Sequence, residues 1–347
     1  MIVIIGYIIA YQLIYKKGYL EIEVPTGSIR TSLLAPSVFA TNLTYCNNQN
    51  PGLYPYTELN CTYWDDPLVV FPIAQETAFT ASTRVKVINQ TSNCFFDSPN
   101  CTFQDISPET NMYLADVENF TILIDHTMYA PISGIQYNAE ELEGYIQNQY
   151  GEDIQINQGI TTVGIKGKPD IITLGQLLEF GGIDLDSQSP LNETHSIRYD
   201  GCVVFVFITY SNTYTYSTNN IKYVYSVKKV SDTVYDVPEP VILSSLQSRL
   251  IFKRHGIRLI FIQTGSIGSF RLEVLVLTLA SSLGLLAVST IIVDQMAIRI
   301  LPQRKSYSSL KFQVTEKFED AITIIGSKEK ENDHVDDEKL FSQIDKL

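Results

Sequence analysis

The segment Gly164–Lys168 reads Gly-Ile-Lys-Gly-Lys and is the nearest this chain comes to a phosphate-cradling loop. Such a loop needs a Ser or Thr after its lysine to hold Mg2+, and Pro169 stands there instead. No HExxH, GxSxG or GxxxxGKS/T occurs, and His126, His195, His255 and His334 lack ligand spacing. Hydrolase, kinase and metal-centre chemistry are therefore not expected. The five cysteines form no CxxC pair, which removes zinc-ribbon and thioredoxin readings. What remains is charge. A net charge of −13, with acid at Glu140, Glu141 and Glu143 and again after Glu316, would repel a nucleic acid. It leaves room for a local basic pocket, although Lys222 and Lys253 taken alone read as solvated surface charge.

The elements that must position any site begin with an apolar run. Val274–Val293 carries no charge over twenty residues, enough to cross a hydrocarbon core of about 30 Å as a helix. A second run, Ile2–Tyr15, precedes Lys16 and Lys17. It lacks the basic start and the A-x-A site of a signal peptide, and is read as a membrane helix whose beginning is missing. Six N-x-S/T acceptors, at Asn42, Asn60, Asn89, Asn100, Asn119 and Asn192, all lie between the two runs. They place that segment on an extracellular or lumenal face and both termini in the cytosol. Arg299, Arg304, Lys305 and Lys311 after the second run agree with positive-inside, whereas Lys16, Lys17 and Arg271 oppose it. Four cysteines sit among the sequons, as an oxidising compartment allows. Cys94 with Cys101, enclosing Pro99, and Cys46 with Cys61 are disulfide candidates, five free thiols being the alternative; Cys202 reads as a buried thiol.

Four parts follow: a first transmembrane helix over 1–15, a β-rich extracellular or lumenal domain over 16–272, a second transmembrane helix over 273–298, and a cytosolic tail over 299–347, with 328–339 disordered. Within the large domain Val203–Tyr210 is an apolar, β-branched run. Tyr214–Tyr216 and Tyr223–Val227 flank the turn-rich Ser217–Asn220, which predicts a hairpin. Arg84–Ile88 and Ile160–Ile165 are shorter strand candidates. Glu140–Gln147 and Ile172–Leu178 are helix candidates. Asp236, Pro238 and Pro240 predict a turn before a last stretch, Val241–Gln263.

Several short pieces recur in order over residues 2–311. Lys16-Lys17-Gly18-Tyr19 follows the first run, Glu118-Asn119-Phe120-Thr121 reads ENFT, and Lys253-Arg254-His255-Gly256-Ile257-Arg258 precedes the second run. Ala280–Leu286 is a small-residue pattern within that run, Asp294 closes it, and Tyr307 and Lys311 form YxxxK. Together they resemble the P2X purinoceptor family, ATP-gated cation channels, in its protist branch. The fold class this implies is two transmembrane helices with a large β-rich, disulfide-containing extracellular or lumenal domain, in a homotrimer or a heterotrimer with related subunits.

The resemblance implies ATP as ligand, held at subunit interfaces without a cofactor. Lys253 matches the family's phosphate-binding lysine. Asn220-Ile221-Lys222 stands for its N-F-R/K turn, with Ile for Phe. Thr121 matches the adenine contact and Leu123 would pack on the nucleoside. Where animal members carry two lysines in a K-x-K strand, this chain has Ser32 and Leu34. Arg30 shares their face by strand alternation and could compensate in part, at roughly 7 Å further along, while Asp125 adds negative charge. Weak ATP binding, or a subunit that needs a partner, is expected. In the second span Thr278, Ser281 and Ser282 share a helical face and would form hydroxyl rings suited to a non-selective cation pore passing Ca2+ and Na+. Leu277 would be the constriction and Asp294 an inner attractor; helix packing through small residues is the alternative. Tyr307 and Lys311 match a trafficking signal. Relatives place such a two-pass protein, embedded in lipid, in a contractile-vacuole or other intracellular membrane, or in the plasma membrane. A subunit that does not respond alone, and a two-pass glycoprotein without a pore, are the other readings.

Overall fold

In the run Cys202–Ser211 every second side chain is buried and its neighbours are half-buried. That period of two, carried by Val, Phe, Ile and Tyr, is a strand packed on both faces. The computed structural model of the chain describes residues 7, 10–73, 76–94, 99–106, 108–212, 220–243 and 245–312. It divides into two units, Tyr19–Leu272 and a second made of Met1–Gly18 with Glu273–Leu347.

The larger unit holds two sheets. Twelve strands form the first: β1 (Leu20–Glu23), β3 (Cys61–Thr62), β4 (Val70–Phe71), β5 (Ala78–Thr91), β6 (Gln104–Asp105), β7 (Thr110–Leu114), β10 (Glu143–Gln147), β11 (Asp153–Ile154), β15 (Cys202–Ser211), β16 (Lys222–Lys229), β17 (Asp236–Ile242) and β18 (Ser248–Phe270). Six form the second: β2 (Ile29–Leu34), β8 (Thr121–Ala130), β9 (Ile135–Asn138), β12 (Ile156–Gln158), β13 (Thr161–Val163) and β14 (Asp170–Thr173). Strand β18 is the spine. One edge pairs with β5 from Ser248 to Ile260; the other pairs with β17 up to His255 and with β15 from Ile257 onward. Gly256 sits where the partner changes. A Cβ there would lie 2.1 Å from the Ala81 carbonyl oxygen and 2.8 Å from Ser82 Cα, so only glycine lets β5 and β18 approach at this point.

Three short helices punctuate this unit: α1 (Asp66–Val69), α2 (Leu174–Phe180) and α3 (Ile197–Asp200). Thr173 caps α2 through a reciprocal box with Gln176. Disulfides join Cys46 to Cys61 and Cys94 to Cys101, and Cys202 is a buried thiol.

Several local expectations change. Glu140–Gln147 is not a helix: a 3-10 turn at Ala139–Glu141 leads into β10, whose Gly144 and Ile146 face inward. Ile172–Leu178 starts in the end of strand β14 and continues, from Leu174, in helix α2. Asp236, Pro238 and Pro240 do not make a turn but belong to β17, whose only ladder among the described residues is with β18; an edge position tolerates prolines that lack an N–H. Tyr214–Tyr216 lies outside the described residues, and the hairpin is closed by β16 against β15.

In the smaller unit α4 (Leu272–Arg299) is the one described helix long and apolar enough to cross a membrane, and its surface is largely exposed. Around Tyr11–Tyr15 the backbone makes a π-helical turn; residues 1–6, 8 and 9 of the expected first span, and 328–339 of the tail, lie outside the described residues. The last helix, α5 (Arg304–Lys311), follows α4 after a short turn.

Candidate functional site

Alternation on β2 and β8 builds one exposed surface. Ile29, Thr31 and Leu33 point into the core, so Arg30, Ser32 and Leu34 point out together. On β8 the even-numbered residues from Ile122 to Ala130 are buried and the odd-numbered ones face outward or are half-buried. Register places Leu34 opposite Thr121, Ser32 opposite Leu123 and Arg30 opposite Asp125. The structure thus brings Thr121, Leu123 and Arg30 onto one face, with the single cation confronted by a carboxylate.

Lys253 lies on β18, on the other sheet. Its ammonium is 3.1 Å from the Asp236 carboxylate, and both side chains are partly exposed. Its cross-strand neighbour on β17 is Pro238. The expected companion, Lys222, is elsewhere. It pairs in register with Ser211, which pairs with Ser266, thirteen residues beyond Lys253 along β18; at about 3.3 Å per residue that is roughly 40 Å of strand. The expectation that Asn220 and Lys222 lie beside Lys253 is therefore corrected for a single copy of the chain. The strand actually there, β17, offers Asp236 and Glu239 and no base. Lys222 instead contacts Glu143 at 2.9 Å and the Tyr145 hydroxyl at 3.2 Å, beside a cavity of about 310 Å3 that Asn220 and Asp153 also line. The hydrogen bond between them holds Lys222 above the usual lysine range and Glu143 below the usual carboxylate range.

Two buried polar clusters escaped sequence reasoning. Arg198 is buried; its Nε and one terminal nitrogen donate to Asp186 at 2.8 and 2.9 Å, that terminal nitrogen also reaches Glu118, and the guanidinium lies 3.7 Å over the Tyr45 ring. Burial alone would lower its pKa, but Glu118 and Asp186 outweigh that and raise it. Glu118 of the ENFT element is thereby a structural anchor. The second cluster joins the two sheets. Gln263 donates to the Tyr210 hydroxyl (3.0 Å), Tyr210 to His126 Nδ1 (2.7 Å), His126 Nε2 to Tyr225 (2.8 Å), and Tyr225 to Asp170 (2.7 Å). Tyr223 and the Gly164 N–H also donate to Asp170, at 2.6 and 2.8 Å. That chain of donors assigns His126 as a neutral ring protonated on Nε2. The Asp170 carboxylate is 3.8 Å from the ring, yet its lone pairs are already occupied and burial prevails, pulling His126 down to about 3.

Along α4, Thr278 donates to the Gly18 carbonyl at 2.7 Å, and Ser281 and Ser282 donate back to the Thr278 carbonyl at 3.0 and 2.7 Å. Ser282 is buried while Leu277 is exposed. Asp294 is ion-paired with Lys311 of α5, on the helix that also carries Tyr307.

The family model described as "ATP P2X receptor" matches residues 40–314. This chain belongs to the P2X receptor family. It is 61% identical to "P2X receptor A" of Dictyostelium discoideum over 316 residues, covering 90% of this chain and 84% of that one. It is 56% identical to "P2X receptor B" of the same organism, covering 100% and 92%. Among solved structures, a P2X receptor from the Gulf Coast tick, in the presence of ATP and Zn2+, aligns with a TM-score of 0.56 at 17% identity over 85% of this chain and 98% of that one. The chicken P2X7 receptor aligns with a TM-score of 0.51 at 15% identity, covering 84% and 95%. At those identities the likeness carries the fold.

Proposed function

We propose that this P2X receptor is a subunit of an ATP-gated, non-selective cation channel that assembles in threes, with the β-rich unit facing the exterior or an organelle lumen and both termini in the cytosol. The observation that carries the reading is the partly exposed Lys253 on β18, in a chain of this family. ATP would lie between copies, its phosphates on Lys253 of one and its nucleoside on the Thr121, Leu123 and Arg30 face of another. Lys222 and Asn220 of the copy that supplies Lys253 lie too far along the ladder to join it. Ligand that binds the open arrangement better than the closed one shifts the population toward opening. The Ser281 hydroxyl would line the path for Na+ and Ca2+, with Leu277 as the constriction and Asp294 at the inner end, whereas Thr278 is bonded to the Gly18 carbonyl and Ser282 is buried; Tyr307 and Lys311 would serve sorting to a contractile-vacuole or other membrane.

Patch-clamp of membranes carrying the chain alone tests the proposal. ATP should evoke an inward cation current, and Lys253→Glu should abolish it while leaving assembly and surface delivery intact. A second reading, a subunit that responds only with a related partner, is supported by Ser32, Leu34 and the Asp236 carboxylate on Lys253. A current that appears only on co-expression would favour it.

A further inference from the structure

Lys253 has two cross-strand neighbours, and the second is a lysine. On β17 it faces Pro238; on β5 it faces Lys86. Directly opposed residues of an antiparallel pair share a face with their Cβ atoms about 4.5–5.5 Å apart, and like charges so placed oppose the pairing. Here each ammonium is countered from its outer side: Lys253 by Asp236 at 3.1 Å, and Lys86 by Glu109, just before β7. Both carboxylates are well exposed, at 37% and 44% of the side chain, so neither ion pair holds strongly against competition. The same face of β18 carries Arg249, stacked 3.7 Å over Phe103 and bonded to Gln90.

We infer that Lys86 is a second phosphate-neutralising side chain beside Lys253, and that Glu109 and Asp236 are internal anions which the oligophosphate of the ligand must displace. The inference rests on the reading of Lys253 as a phosphate ligand. A triphosphate needs several cations near one another. Ser32, Leu34 and Pro238 supply none, and Lys222 is out of reach within a copy, whereas Lys86 is one strand spacing away. Binding is then an exchange: two weak carboxylate contacts are given up for charge-assisted bonds to phosphate.

Titration of ATP into the purified full-length protein in detergent tests this, with thermal melting as the folding control. Lys86→Gln should weaken ATP binding roughly tenfold or more, as loss of one charge-assisted contact does. Lys86→Arg should stay close to the unaltered protein, which a loss of packing would not predict. Glu109→Gln should tighten binding several-fold, because it removes the competitor. If Lys253→Gln weakens binding but Lys86→Gln does not, the role of Lys86 is wrong and the reading of Lys253 stands. If Lys86→Gln does not fold, Glu109→Gln decides, and unchanged or weaker binding there overturns the inference. If the unaltered protein fails to bind ATP at millimolar concentration, or neither lysine substitution matters, both fall.

Discussion

Acidification should loosen the β-rich unit through His126, and the size of the effect follows from its surroundings. The ring is enclosed by Tyr210, Tyr223, Tyr225 and Asp170, and burial holds its pKa near 3, against an ordinary value of 6.5. Between those values the unfolded chain binds a proton that the folded chain refuses. The stability this neutral ring contributes is therefore complete above 6.5 and is lost as pH falls, by about 1.4 kcal/mol per unit well inside the window. From pH 7 to pH 5 the loss amounts to about 2 kcal/mol. Asp170 works the other way. Burial raises its pKa, so the fold retains a proton that the unfolded carboxyl releases, and stability is gained as pH falls through that raised value. The tyrosines stay protonated throughout. His255, lowered to about 4 mainly by burial, adds a loss of its own. A comparison of pH dependences isolates His126. Urea denaturation of the solubilised protein at pH 7 and pH 5 should show His126→Gln losing about 2 kcal/mol less than the unaltered chain, whatever its starting stability. Equal losses in the two proteins would mean that the ring is charged, or wet, in the fold, and the reasoning would be refuted.

Other consequences can be measured in the same way. Arg198→Met strands Asp186 and Glu118 against an apolar side chain and should cost about 3–5 kcal/mol in the denaturation midpoint at pH 7; a cost under about 1 kcal/mol would show that the carboxylates are solvated. Removing the Cys46–Cys61 bridge, which closes a 15-residue separation, should cost about 3 kcal/mol, more than loss of Cys94–Cys101 across 7 residues. Paired Cys→Ser variants and their response to reductant check the order. Gly256→Ala must push β18 away from the Ala81 carbonyl and should destabilise by about 3 kcal/mol or more, read as loss of the monodisperse peak in size exclusion.

The family and the coarse layout were legible because they rest on features that act locally. An uncharged twenty-residue run names its solvent by length, and the Val203–Tyr210 alternation names its strand. The helix expected over Glu140–Gln147 is not formed; Glu143, Tyr145 and Gln147 are the outer residues of β10. Gly144 between them is required by the Tyr223 ring, which would meet a Cβ at 2.2 Å, a constraint set by a residue far along the chain. Asp236–Pro240 misled for a related reason: proline excludes a central strand, and only the pairing shows that β17 is at an edge. Nothing near Arg198 in sequence announces its burial, because Asp186 and Glu118 reach it across 12 and 80 positions.

The candidate site shows why local matching has a limit. Lys253 could be found from the residues that follow it, since Gly256 is fixed by the crossing of β5 and β18. Its companion could not, because the partner of a strand residue is set by register, and register is a property of two segments. Asn220-Ile221-Lys222 matches by residue type, but within one copy the β16–β15–β18 ladder sets it thirteen residues along β18 from Lys253. The same ladder logic, applied from Lys253 outward, arrives at Pro238 and Lys86. Each basic residue of the proposed site then has an acidic neighbour: Arg30 faces Asp125, Lys253 contacts Asp236 and Lys86 contacts Glu109. A site so arranged would hold its cations in place without ligand and would give up part of that attraction on taking a phosphate. Low affinity, relieved when a carboxylate is removed, is the behaviour to expect of it.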